Sequence, residues 1–353
     1  MNTFLRKLGL TAPIIQAPMA GTSTPAMAAA VSNSGGLGSV GVCALSAENA
    51  RKVISEVRAA TKQPFNVNVF CHRPPVADPA RNAAWIAKLA PEFARYDAAP
   101  PRDLQEIYPT FATDDAMFEM LLLERPAVVS FHFGLPSPVK IAALRGAGIV
   151  LLATATSLKE AHSIAAARID AVVAQGFEAG GHRGIFDPQA YDEQLGTLAL
   201  TRLLVKQLDI PVIAAGGIMD GAGIAAVLAL GAAAAQLGTA FVTCPESSAD
   251  GPYRAALLNK DPVQTVMTAA ISGRPARCIA NKFTGFGAHI APSDIAPYPM
   301  AYDAGKALNA AAKAKGETGY GAQWAGQGAT LARVMPPADM VALLVREMSE
   351  AAR

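Results

Sequence analysis

The chain has little cysteine and no concentration of positive charge. Its four cysteines, Cys43, Cys71, Cys244 and Cys278, form no C-x-x-C pair and have no histidine at metal-ligand spacing. That excludes a zinc site of the usual kind and a disulfide framework, and free thiols in a reducing cytoplasm are expected. Lys and Arg total 30 against 28 Asp and Glu, a net charge of +2. Without a basic run the chain lacks the electrostatic track that nucleic acid requires. The opening MNTFLRKLGL carries two positive charges, but Pro13 and Gln16 interrupt any apolar stretch of signal-peptide character, so no such peptide is expected. The one run long and apolar enough to suggest a membrane span, 223–242, is divided by Gly231, Gln236, Gly238 and Thr239. It reads as a buried helix followed by a buried strand.

What is present is rhythm. Short apolar runs alternate with longer helical patterns, the signature of βα units around a parallel sheet. Eight strands are expected, at 13–17, 37–40, 65–70, 127–131, 149–153, 170–174, 211–215 and 233–237. Most lack apolar/polar alternation, as strands buried on both faces do. Helices are expected at 25–34, 47–61, 137–146, 158–168, 195–208 and 221–230, with Ser46 as a start signal and Gly146 as a stop signal. The fold class is α/β, a (β/α)8 TIM barrel with a small inserted lid domain; a doubly wound open sheet is the alternative. Two segments break the rhythm. Residues 72–123 hold Pro74-Pro75, Pro100-Pro101 and a helical stretch at 114–124, and read as an excursion over the barrel mouth. Residues 245–320 read as a compact substrate or lid domain, leaving 1–244 and 321–353 for the barrel, which a terminal helix at 337–352 closes.

Chemistry in such barrels is done at the C-terminal strand ends. The loop 176–184, GFEAGGHRG, follows the sixth strand and crowds glycines around His182, so a backbone able to approach a flat ligand meets a side chain that exchanges protons near neutral pH. The seventh strand ends in Gly216-Gly217 and the eighth in Gln236-Leu237-Gly238-Thr239, offering main-chain N–H groups and a hydroxyl to a phosphate. The first strand ends in Gln16-Ala17-Pro18-Met19-Ala20-Gly21, a flat backbone wall. Asn66 and Asn68 face one side of the third strand, and Gln175 and Gln236 add two neutral amides at strand ends. This set favours an uncharged heterocycle over a sugar or a metal. Taken singly, each element is as readily a turn or core packing; their joint fall at strand ends is what that reading leaves unexplained.

QAPMAG at 16–21, SGGLGSVG at 34–41, NVNVF at 66–70, SFHFG at 130–134, GFEAGGHRG, IAAGGI at 213–218 and QLGTAF at 236–241 resemble the nitronate monooxygenase family (2-nitropropane dioxygenase-like), in its bacterial class I. The likeness covers nearly the whole chain, and GFEAGGHRG is its most specific part. It implies an FMN-bound (β/α)8 flavoprotein that uses O2 to turn alkyl nitronates such as propionate 3-nitronate into carbonyl compounds and nitrite, a nitroalkane-detoxifying chemistry. It further implies FMN contacts from Ala17, Pro18, Met19, Asn68, Gln175, Gly180, Gly181, Gly216, Gly217, Gln236, Leu237, Gly238 and Thr239, and His182 as the catalytic histidine. His132, Tyr108, Tyr253, Tyr298, Tyr302 and Lys306 are implied to bind substrate or to wall and gate the pocket. An ammonium and phenol hydroxyls suit a carboxylate, which puts propionate 3-nitronate first among substrates. Tyr298 and Tyr302 also have the spacing of an ordinary helix face. The implied partners are a small-molecule nitronate and O2, with no nucleic acid, no membrane and no metal; a homodimer is allowed.

Two other readings stand beside it. The related flavin-dependent enoyl-ACP reductases take hydride from NAD(P)H, and SGRPAR at 272–277 offers Arg274 and Arg277 to a pyrophosphate or a carrier phosphopantetheine. A non-catalytic flavin-binding protein is the third.

Overall fold

The computed structural model describes residues 3–259 and 261–353. Eleven strands are present among them: β1 (Ile14–Gln16), β2 (Gly38–Gly41), β3 (Phe65–Phe70), β4 (Val128–His132), β5 (Val150–Ala155), β6 (Ala171–Gln175), β7 (Gly181–His182), β8 (Val212–Ala215), β9 (Ala234–Leu237), β10 (Thr265–Thr268) and β11 (Ala276–Ile279). Eight of these form one parallel sheet in the order β1-β9-β8-β6-β5-β4-β3-β2. The two ends of that sheet meet through a bridge between Ile15 and Leu37, with Leu37 N–H donating to the Ile14 carbonyl at 2.9 Å and Gln16 N–H to the Leu37 carbonyl at 3.0 Å. The seam closes the barrel and rules out the open doubly wound sheet. All eight expected strands lie within a residue or two of their expected bounds, because a strand covered on both faces is an unbroken apolar run: β5 and β6 are buried at every position.

The intervening helices start where side-chain oxygens wait for unpaired N–H groups. Thr24, Ser46, Ser137, Ser157 and Asp220 each accept from the third helical residue, a cap worth about 1 kcal/mol. The stop signal at Gly146 is corrected: Gly146 is the last helical residue, and the left-handed position is taken by Gly148 at φ +81°. The 223–242 run resolves into the helix Gly221–Ala229 and strand β9, and no helix among the described residues is long and apolar enough to cross a membrane.

The helical stretch expected at 114–124 is present, and both long excursions carry further structure that periodicity did not reveal. The first excursion holds the helix Pro79–Ala94, which the sequence did not show, ahead of the expected one at Asp115–Glu124. Residues 245–320 supply β10, β11 and the helices Gly251–Leu257, Lys282–Gly287 and Met300–Ala314. The two excursions share one core, in which Trp85, Leu89 and Phe93 meet Ala301, Ala304 and Leu308. Each fully buried large side chain there contributes about 1.5–3 kcal/mol. Strand β11 pairs antiparallel with β10 on one side and with the two-residue β7 on the other, placing His182 opposite Ala276. The glycine-rich loop after β6 is therefore an edge strand of the second sheet, and its histidine is fixed at the seam between barrel and excursion.

Candidate active site

The C-terminal strand ends open into a cavity roofed by the two excursions. Its wall is formed by Ala17, Pro18 and Met19 after β1, Asn68 on β3, His132 on β4, Gln175 on β6, Gly180, Gly181 and His182, Gly216 and Gly217 after β8, and Gln236, Gly238 and Thr239 at the end of β9. Tyr108, Tyr253 and Tyr302 line the roof. Among the described residues no lysine or arginine side chain lines it.

His182 is held by its main chain and its ring. Its carbonyl accepts from Gln175 Nε2 at 2.9 Å and from His132 Nε2 at 3.2 Å, and its own Nε2 lies 2.9 Å from Ser272 Oγ. The amide of Gln175 is engaged at both ends, because its Oε1 accepts from Gly184 N at 2.7 Å. His132 has one tautomer only: a carbonyl cannot donate, so Nε2 carries the proton and Nδ1, 3.1 Å from Thr154 Oγ1, accepts from that hydroxyl. Burial depresses the His182 pKa to about 3, with His132 and Arg274 adding repulsion, so the imidazole is neutral at any working pH.

Burial likewise lowers His72 and His132 to about 4 from an ordinary 6.5. The sign follows. As pH falls below 6.5 the unfolded chain takes up protons on these three histidines and the folded chain does not until about 4, so the stability present above 6.5 is lost on acidification. Each group costs about 1.4 kcal/mol per pH unit over that window. Urea unfolding midpoints are expected to hold between pH 7.5 and 6.5 and to drop steeply by pH 5.5; a midpoint unchanged at pH 5.5 contradicts the burial of these rings.

The roof is an aromatic stack. The Tyr108 and Tyr302 rings lie 5.4 Å apart and 7° from parallel, and Tyr298 sits 6.2 Å from Tyr108 and 5.6 Å from His182. Burial pushes the Tyr302 hydroxyl up to about 12 and the Tyr108 and Tyr253 hydroxyls higher still, so all three are neutral donors. Lys306 Nζ lies over the rings of Tyr108 and Tyr302, at 4.7 and 5.0 Å from their centroids.

Six expected residues stand elsewhere. Lys306 backs the tyrosine pair without lining the cavity, and Tyr298 lies just behind the lining, packed edge-on to His182. The Leu237 side chain turns into the core between barrel and outer helices, and only its carbonyl, accepting from Ala17 N at 2.8 Å, serves the site. Asn66 is fully buried below Asn68 and bonds Ser39 Oγ at 3.2 Å. Arg274 and Arg277, the pair that suited a pyrophosphate, are 4% and 3% exposed and point at the backbone carbonyls of Ile185 and Phe177. They present no phosphate-binding face, which removes the feature that favoured the NAD(P)H reading.

The structure adds residues the sequence left unmarked. Trp324 reaches the cavity with its ring 5.1 Å from that of His182, and Gly326 and Gly328 follow it along the wall. Ser130 and Thr154 line the floor; Gln16, already expected at the end of the first strand, accepts at Oε1 from Ser39 N at 2.8 Å and props the Ala17–Met19 wall from behind. Ser130 and Thr154 were visible as polar residues in otherwise apolar strands; Trp324 gave no local signal.

A family model for nitronate monooxygenase matches residues 2–347. The nitronate monooxygenase of Paraburkholderia phytofirmans is 63% identical over 349 residues, spanning 99% of this chain and 95% of that protein. That of Pseudomonas aeruginosa is 54% identical over 347 residues, spanning 98% and 99%. A crystal structure of nitroalkane oxidase from Streptomyces ansochromogenes superposes with a TM-score of 0.89 at 41% identity, covering 98% of each chain.

Proposed function

The chain belongs to the nitronate monooxygenase family of flavin-dependent enzymes, and from that premise we propose that its flavin is FMN and that its preferred substrate is propionate 3-nitronate, oxidised with O2 to a carbonyl compound and nitrite. The observation that carries this reading is a neutral imidazole opening on the same cavity as two glycine turns and a row of neutral amides. The cradle fits a flat ring with a phosphate tail. Gly216 and Gly217 adopt φ of +121° and +71°, and a Cβ on Gly216 would meet Ala179 N at 3.0 Å, so the backbone itself forms the surface there. Thr239 Oγ1 accepts from Gly326 N at 3.0 Å, leaving its own proton for a phosphate oxygen beside the N–H groups of Gly238 and Thr239. Asn68, already donating to Ser130 Oγ at 2.9 Å, keeps its carbonyl for the polar edge of the ring. FMN supplies the electron chemistry when bound; the chain supplies position and field.

His182 binds and orients the nitronate oxygens, and the stacked Tyr108 and Tyr302 offer neutral hydroxyls to the distal carboxylate. Residues 245–320 act as the lid domain in this reading, and the four buried free thiols suit a reducing cytoplasm. Heat-released cofactor is expected to have the mass of FMN; FAD would refute the assignment. A base as weak as His182 does not deprotonate a carbon acid, so freshly dissolved neutral nitroalkane is expected to react about a hundredfold more slowly than its nitronate. Equal rates would show a stronger base in the site.

Lys306 acts on the carboxylate through the tyrosine pair, as a cation over their rings. Lys306→Met is expected to lower kcat/KM for propionate 3-nitronate about two- to fivefold and to leave an alkyl nitronate without carboxylate unchanged. A much larger loss would mean direct contact.

A further inference from the structure

Ser272 is fully buried, and its hydroxyl is the partner of the His182 ring at 2.9 Å. The same oxygen lies 3.2 Å from the Arg274 carbonyl and 3.4 Å from the Arg274 amide nitrogen. The fold holds both members rigidly. Gly273 between Ser272 and Arg274 has φ +90°, and a Cβ there would come within 2.5 Å of Tyr298 N, so the turn is clamped; His182 is paired in register with Ala276, four residues past Ser272. A hydroxyl has a single proton and two lone pairs. With that proton on the Arg274 carbonyl, Ser272 accepts from His182 Nε2–H, and Nδ1 offers a lone pair to the cavity. With the proton turned to His182 Nε2, Nδ1 carries hydrogen and donates.

His132 shows the contrast. Its Nε2 faces a carbonyl, which accepts only, and one tautomer is locked. His182 faces the side chain type that permits both, with a second acceptor 3.2 Å away to receive the proton when the histidine does not need it. In a buried site this matters, because a polar atom left without a partner costs about one to three kcal/mol, roughly five- to 150-fold in a rate.

We propose that Ser272 is a two-way positioning residue for His182: by turning one hydroxyl proton between His182 Nε2 and the Arg274 carbonyl, it lets the imidazole present either a proton or a lone pair at Nδ1 to a nitronate. Passing from one tautomer to the other breaks the Nε2–H bond of His182 and makes an Nδ1–H bond: solvent water gives one proton to the ring and takes one from it while the site is open, and Ser272 keeps its own proton on oxygen in both states. The proposal rests on the nitronate reading for its consequence and on the structure alone for the tautomer exchange, so the two fail separately.

The test compares Ser272→Ala with the near-isosteric pair Ser272→Thr and Ser272→Val in the flavin-loaded enzyme. Two readouts are taken: kcat/KM for propionate 3-nitronate across pH, and the 15N shifts of the His182 ring in histidine-labelled protein. Ser272→Ala and Ser272→Val are expected to lose about tenfold to a hundredfold in kcat/KM at unchanged flavin content, with the 15N shifts of His182 moving from tautomer-averaged values to those of one tautomer. Ser272→Thr, which keeps the hydroxyl, is expected to stay within about threefold of wild type in rate and to keep the averaged shifts. Ser272→Ala matching wild type in both rate and shifts overturns the proposal, as do equal Thr and Val variants should the alanine protein not accumulate. Wild-type protein that takes up no oxygen with a nitronate sinks the functional reading instead, and the 15N comparison still decides the role of Ser272.

Discussion

His182→Asn is expected to lower kcat/KM for a nitronate by about a hundredfold or more while the protein stays folded and keeps its flavin. The magnitude is that of a positioned proton donor or acceptor at the reacting atoms. Folding survives because the bonds that fix position 182 are main-chain bonds: its carbonyl to Gln175 and His132, and its pairing with β11. An asparagine also keeps a polar group within reach of Ser272. What it loses is the second ring nitrogen, the one Ser272 does not occupy. Oxygen consumption at varied nitronate, read against flavin absorbance on the same sample, measures it. Full activity with flavin bound would remove the histidine from the chemistry.

Gly180→Ala is expected to abolish tight flavin binding, so that the protein is isolated colourless or with an affinity at least about a hundredfold weaker. A Cβ at Gly180 would sit 2.5 Å from Ala325 C and Gly326 N, a distance no packed carbon tolerates, and the neighbours are backbone. The segment cannot simply move aside. It is tied by Gly326 N to Thr239 Oγ1 at 3.0 Å, by Gln327 N to the Glu178 carbonyl at 2.9 Å and by Ala325 N to the Arg277 carbonyl at 3.3 Å. Displacing it carries Trp324 off the histidine and withdraws the hydrogen bond that orients Thr239. Gly146→Ala is the control, because nothing lies within 4 Å of its Cβ position and its φ is ordinary. That variant is expected to keep its colour and to change stability by less than about 1 kcal/mol. A yellow, active Gly180→Ala protein would show that the loop and the 324–328 segment are less closely joined than described.

The barrel was legible because parallel strands covered on both faces write themselves as unbroken apolar runs, and the site's outline because glycines and amides fall at the ends of those runs. Period-2 geometry would have gone one step further: in β9, Gln236 faces the cavity, so Leu237 must face the outer helices, and it does. Other features depend on contacts no local pattern carries. The pairing of β7 with β11 joins segments almost a hundred positions apart and is only two residues long on one side. Trp324 arrives from the far end of the chain, and Lys306 stands behind the pocket wall rather than in it because it packs over the ring of Tyr108, brought in from the other excursion. Arg274 and Arg277 read as exposed phosphate ligands, since burying a guanidinium requires carbonyls that only the folded β6 loop provides.

In the proposed reaction a neutral imidazole and a bound flavin act together on an anionic nitronate at the barrel mouth. Purified holoenzyme mixed with propionate 3-nitronate, with oxygen uptake and nitrite release followed together and NADH first absent and then present, tests it most directly. Oxygen consumption and nitrite formation are expected without NADH and unaltered when NADH is added. No nitrite with the nitronate, together with rapid NADH oxidation on an enoyl thioester, would contradict it.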